Sequence, residues 1–128
     1  MVPRVLTAAC FAVAVLVASG CGSATVKVAK DDPTHQGAVL FAEKCGMCHT
    51  LDVAGTQGSS TDVTDRERID GPNFDARQER KADVLFAIAN GGFSGAIMPE
   101  NIVTGPEAEA VADFLEKYSG KKSKGIGG

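Results

Sequence analysis

Cys45-Gly46-Met47-Cys48-His49 is the stretch of this 128-residue chain whose residue types and spacing could do chemistry. Two thiols separated by two residues, with an imidazole directly after, form the attachment pattern for haem c. On a helical turn, residues three apart share a face, so both sulfurs can reach the two vinyl groups of one porphyrin and form thioethers. The next residue lies roughly 100° further round, which carries the His49 imidazole beneath the ring as proximal iron ligand. Two other chemistries use such a thiol pair. Zinc wants further Cys or His ligands, and outside the motif the chain holds only Cys10, Cys21 and His35. A dithiol redox pair wants a strand before it in a βαβ setting, and no strand-like run precedes Cys45.

The elements that must position this motif begin after a leader. Arg4 is the only charge before Lys27, and Val5 to Val17 is an almost unbroken apolar run. That is a positive n-region and an h-region, shorter than the roughly 20 residues of a membrane span. The run closes on Leu16-Val17-Ala18-Ser19-Gly20-Cys21, which resembles the lipobox of bacterial lipoproteins, with Ala18 where Leu is more common. The resemblance implies a signal peptide over residues 1–20 and acylation of Cys21 as the mature N-terminus. Ordinary cleavage nearby or an uncleaved anchor are the other readings, and Cys10 leaves with the leader. An exported protein meets an oxidising compartment. Loss of Arg4 takes the net charge from −3 to about −4, which disfavours nucleic acid as a partner.

Residues 21–32 are small, polar and mixed in charge, and read as a tether; the eleven from Gly22 to Asp32 reach about 36 Å at most. Asp32-Pro33 reads as the N-cap and first position of a helix that carries Gly37, Leu40, Phe41 and Lys44 and delivers Cys45. Gly37 costs about 1 kcal/mol against Ala inside a helix, which is repaid where another helix crosses closely. Residues 51–70 read as a long loop, with a helical turn near Asp65 to Arg68 and with Arg66 and Arg68 as candidate partners for haem propionates. Glu79 to Asn90 predicts a helix with Ala82, Leu85, Phe86 and Ala89 on one apolar face, widened by Val84 and Ile88. Asn90-Gly91-Gly92 stops it. Thr104-Gly105-Pro106-Glu107 is a capping-box pattern opening a last helix, with Val111, Phe114, Leu115 and Tyr118 inward and Asp113, Glu116 and Lys117 outward. Residues 120–128 read as a flexible basic tail.

Gly37 with Phe41, the thiol-imidazole motif, Gly71-Pro72, Met98-Pro99 and the amphipathic last helix together resemble a small class I cytochrome c over residues 33–119. The resemblance implies an all-α cytochrome c fold: three to four short helices and long loops around one covalently attached haem. It implies a backbone carbonyl of Pro72 accepting the second N–H of His49, a bond that orients the ring and raises its basicity. Phe74 departs from the pattern by standing where Leu is commoner, as does the length of the loop before Gly71. The second axial ligand follows by elimination. Met1 leaves with the leader and Met47 is tethered in the motif, so Met98 remains, steadied by Pro99. His35, a lysine or an open iron are the rivals.

The function expected on these grounds is a membrane-tethered mono-haem cytochrome c, a monomer and not itself an enzyme. It would pass single electrons between membrane electron-transfer complexes through His49/Met98-ligated iron. It would sit on the outer face of the bacterial cytoplasmic membrane, on the periplasmic side or cell surface, held by Cys21. The alternatives are a haem c subunit of a dehydrogenase or oxidase, and a haem sensor or peroxidase with a displaceable sixth ligand.

Overall fold

The computed structural model describes residues 25–58, 71–93 and 97–121. Three helices form its frame: α1 over His35–Lys44, α2 over Lys81–Asn90 and α3 over Gly105–Tyr118. A small antiparallel hairpin, β1 (Thr50–Leu51) and β2 (Thr56–Gln57), follows the motif, with a 3-10 turn over Asp52–Ala54 between its strands. The segment expected to be one long loop from residue 51 is therefore ordered over its first part. Thr56 is the reason: its buried hydroxyl accepts the Leu51 N–H at 3.0 Å and donates to the His49 carbonyl at 3.0 Å. The expected helical turn near residue 65, with Arg66 and Arg68, lies outside the described residues, as do the leader and Cys21.

α1 and α3 cross at Gly37. A β-carbon there would run into the carbonyl oxygen of Ala110 and lie 2.9 Å from Cβ of Phe114. The missing side chain thus lets two backbones touch, and the aromatic rings fill the space on either side. Phe41 and Phe114 are fully buried, with ring centroids 5.7 Å apart. Leu51, Ala54, Val103, Val111 and Leu115 complete the same core. α3 buries Ala108, Val111, Ala112, Phe114 and Leu115 and turns Asp113, Glu116 and Lys117 outward, the period-3.6 pattern read from its sequence. Lys81 at the start of α2 reaches Glu109 and Asp113 of α3 at 2.8 and 2.7 Å. These half-exposed pairs set orientation more than stability.

Three helix starts differ from expectation, with α2 beginning at Lys81 rather than Glu79. α1 begins at His35, with Thr34 rather than Asp32 in the cap position and no side-chain capping bond. Asp32 has stronger donors to satisfy. Its Oδ1 accepts the N–H and hydroxyl of Thr34 at 2.8 and 2.7 Å, and its Oδ2 accepts Lys117 Nζ and the Tyr118 hydroxyl, each at 2.7 Å. Lys117 first, then Tyr118 and Thr34, hold this carboxyl well below the usual range. At α3 no capping box closes, because Gly105 enters the helix with φ +53° and the Thr104 carbonyl, not its hydroxyl, receives the Glu107 N–H. The α2 stop is as read: Gly91 at φ +67° ends the helix, and the N–H of Gly92 returns to Ala87 at 2.7 Å.

The expected tether is packed over its second half. Val28 is buried, the Lys27 N–H donates to the Val53 carbonyl at 2.9 Å, and the ring of His35 bonds the Val28 carbonyl at 3.0 Å. Two valines that looked isolated in a polar stretch had a groove beside the hairpin to fill. At the other end, Ser119 and Gly120 belong to the domain, both buried, with Gly120 donating its N–H to Phe74 at 2.8 Å. Among the described residues no helix is long and apolar enough to cross a membrane.

Candidate functional site

α1 ends at Lys44, and the motif forms the turn that follows. The Cys45 N–H bonds back to Phe41 at 2.8 Å, and the N–H groups of Cys48 and His49 both return to the Cys45 carbonyl, at 3.1 and 2.9 Å. The turn winds tightly enough to keep the two thiols on one side. A Cβ at Gly46 would collide with the Ala42 carbonyl and Thr56, so the turn tolerates no side chain there. Both thiols are free and half-buried. Burial, helped by the neighbouring Cys48, pushes the Cys45 thiol up to about 12. That environment favours an uncharged sulfur, which a thioether is and a zinc-bound thiolate is not. Among the described residues no three His, Cys, Asp or Glu side chains come together as a metal site of their own.

His49 is held from several directions. Its Nδ1 lies 3.1 Å from the Pro72 carbonyl oxygen. A carbonyl only accepts, so Nδ1 carries the proton and Nε2 keeps its lone pair. Burial holds the imidazole below its ordinary pKa, against the smaller opposing pull of the Pro72 carbonyl. The ring is therefore neutral at pH 7, the form that binds iron. Pro72 reaches it because residues 71–74 run beside 48–50: the Gly71 N–H donates to Cys48 at 2.8 Å and the Phe74 N–H to Thr50 at 2.9 Å. Gly71 must be glycine at this approach, since a Cβ would strike the imidazole at Cε1, Nδ1 and Nε2.

Met98 stands on the loop after α2, half-buried and packed against the core. The loop is pinned at both ends. A Cβ on Gly91 would lie 2.8 Å from the Met98 carbonyl, and the Asn101 N–H donates to Ile88 at 2.7 Å. His35, the rival ligand, sits at the opposite end of α1 from Cys45, about 15 Å along the helix, and its Nδ1 is engaged by Val28.

The apolar surface left uncovered by protein lies on the same segments. Met47 in the thiol turn is 84% exposed, and Phe93 and Ile97 in the Met98 loop are 61% and 57% exposed. α2 turns out to have two apolar faces: Val84 and Ile88 are buried in the core, whereas Ala82, Phe86 and Ala89 face outward. Phe86 stacks on Phe93 at 5.3 Å. Uncovered apolar area of this kind marks a binding surface. With two neutral sulfurs, an imidazole presenting Nε2 and a restrained thioether, the donor set fits haem c. The sequence pointed to Cys45, Cys48, His49, Pro72 and Met98. It gave no sign of the contact of Phe74 with His49, or of Thr56 behind the His49 backbone. A threonine inside a Thr- and Gly-rich run carries no signal for a buried hydroxyl.

The family model for cytochrome c matches residues 35–119. No curated protein matches the chain. Among solved structures, it is similar to the c-type cytochrome SorU from Sinorhizobium meliloti, at 31% identity and a TM-score of 0.54, over 72% of this chain and 97% of that one.

Proposed function

The chain belongs to the cytochrome c family, and from that premise we propose that it is a membrane-tethered carrier of single electrons whose haem c hangs from Cys45 and Cys48 between His49 and Met98. Covalent haem c is the cofactor of this family, and when bound it supplies a metal that takes up and returns one electron. The chain does the rest. The two thiols hold the group through both redox states. His49, kept in one tautomer by Pro72, would offer Nε2 to the iron. Met98, on a loop fastened to α2 at Gly91 and Ile88, would offer a soft neutral sulfur as the second iron ligand, which favours the reduced metal. With both ligands bound, the iron would have no place left for a substrate. The observation that supports this reading best is the 3.1 Å contact of His49 Nδ1 with the Pro72 carbonyl, because it leaves the lone pair of Nε2 available to a metal.

The tether rests on the leader's composition and on Cys21. Membrane electron-transfer complexes on the outer face are the partners that such an anchor favours. A second reading, a fixed haem subunit of a dehydrogenase or oxidase, is favoured by the exposed Phe86, Phe93 and Ile97. Spectra of the matured protein test the core proposal. A pyridine haemochrome of the two-thioether type is expected, with a long-wavelength thioether-to-ferric-iron band that disappears in Met98→Ala. The band surviving that substitution would remove Met98 from the iron. Mass spectrometry of the N-terminus tests acylation of Cys21, and copurification with a partner at fixed ratio would favour the subunit over the carrier.

A further inference from the structure

Phe74 lies parallel to the His49 imidazole, with ring centroids 4.7 Å apart and planes inclined by 12°. The neighbouring ring pairs behave differently: Phe41 is tilted by 48° to His49, 60° to Phe74 and 56° to Phe114. Phe74 is also immobilised. Its backbone N–H donates to Thr50, its carbonyl accepts from Gly120, and its ring packs on the fully buried Phe41 at 5.9 Å.

The bond from Nδ1 to Pro72 fixes where one N–H points, but it leaves the imidazole able to rock about the donor–acceptor line, since carbonyls accept over a broad range of directions. The side-chain torsion adds little, because rotation about the Cβ–Cγ bond of histidine has broad wells. A flat ring lying against the imidazole face supplies the missing restraint, and Gly71 crowds the Nδ1–Cε1–Nε2 side. We propose that Phe74 is a positioning residue for His49: its ring sets the rotation of the imidazole plane, and with it the plane in which Nε2 meets the iron. This rests on the reading of His49 as an axial ligand. Contacts one layer out from a metal orient its ligands and tune its electronics. A branched aliphatic side chain at 74 would cover the imidazole equally well and have no flat face to align it.

The test uses the haem-loaded protein in its ferric state, with proton NMR of the hyperfine-shifted haem methyl groups, whose order reports the orientations of the axial ligands, the imidazole among them. Phe74→Leu is expected to change that order, and Phe74→Met, which also fills the space without a flat face, to change it likewise. Phe74→Tyr keeps a stacked ring and is expected to retain the wild-type order. Phe114→Leu removes a more deeply buried ring that is not paired with His49; it should lower Tm and leave the methyl order unchanged. A wild-type order in Phe74→Leu or Phe74→Met overturns the proposal, as does a Phe114→Leu variant that reproduces their change. Absence of shifted imidazole protons in the wild type would overturn His49 ligation and this proposal together, whereas their presence with no response to position 74 overturns this proposal alone.

Discussion

Gly37→Ala puts the α1–α3 crossing to a quantitative test. In an exposed helix the change would stabilise by about 1 kcal/mol, because alanine is the better helix former. Here the new methyl meets the Ala110 carbonyl oxygen, with the Ala110 carbon at 2.7 Å and Phe114 Cβ at 2.9 Å. None of these is the free end of a flexible side chain, so the helices must move apart. Overpacking of this kind costs about 1–3 kcal/mol. Separation also loosens Phe41 against Phe114, both fully buried, which puts the cost at the upper end of that range. The expected net loss is about 2 kcal/mol, a fall in Tm of roughly 10 °C for a domain of this size. Thermal unfolding of the haem-loaded variant, followed by far-ultraviolet circular dichroism, reads it directly. Gln36→Ala, an exposed neighbour on the same helix, controls for propensity and should move Tm by little. A Gly37→Ala protein as stable as wild type, or more so, would refute the close-crossing argument.

Asp32→Asn should destabilise the protein at pH 7, and the difference should shrink on acidification. The carboxyl is depressed in the folded state by Lys117, Tyr118 and Thr34. Its contribution is therefore complete above the ordinary aspartate value near 4, and it fades as pH falls from about 5 toward 2. Tm measured across that range for both proteins checks the sign; a difference that grows in acid would refute it. Ser119→Ala should cost about 1–3 kcal/mol, read as a lower urea midpoint, because the buried Oγ accepts the Glu79 N–H at 2.8 Å and its loss leaves that N–H unpaired.

Much of the site was legible because it is local. The Cys45–His49 spacing needs one turn of chain, and that turn forms whatever packs around it. Gly37 was readable as a close approach because a glycine inside a strong helical pattern has few other uses. α3 displays its full amphipathic period over Gly105–Tyr118. What the chain kept hidden depends on partners distant in sequence. Asp32 looked like a helix cap, and only the arrival of Lys117 and Tyr118, 85 and 86 residues later, redirects it. Val28 read as part of a loose linker until the hairpin at 50–57 offered it a place. The division of α2 into a buried face at Val84 and Ile88 and an open one at Phe86 depends on where α3 lies, which ten residues of periodicity do not encode.

The carboxylate of Asp32 draws the first and last described segments to a single corner of the domain. Lys121, where the basic tail starts, lies over the Tyr118 ring at 4.9 Å beside it. The chain enters the body beside the hairpin: Thr25 lies against Gly55, and Val26 and Val28 are already packed, so four residues separate Cys21 from Val26, about 17 Å at full stretch. A lipid on Cys21 would therefore hold the molecule by its hairpin side, close to the headgroups. Thr56 of that hairpin also borders Gly46 in the thiol turn, so such an anchor would attach on the side of the domain where the turn lies. A carrier held this way would have little room to swing and would move chiefly within the plane of the bilayer.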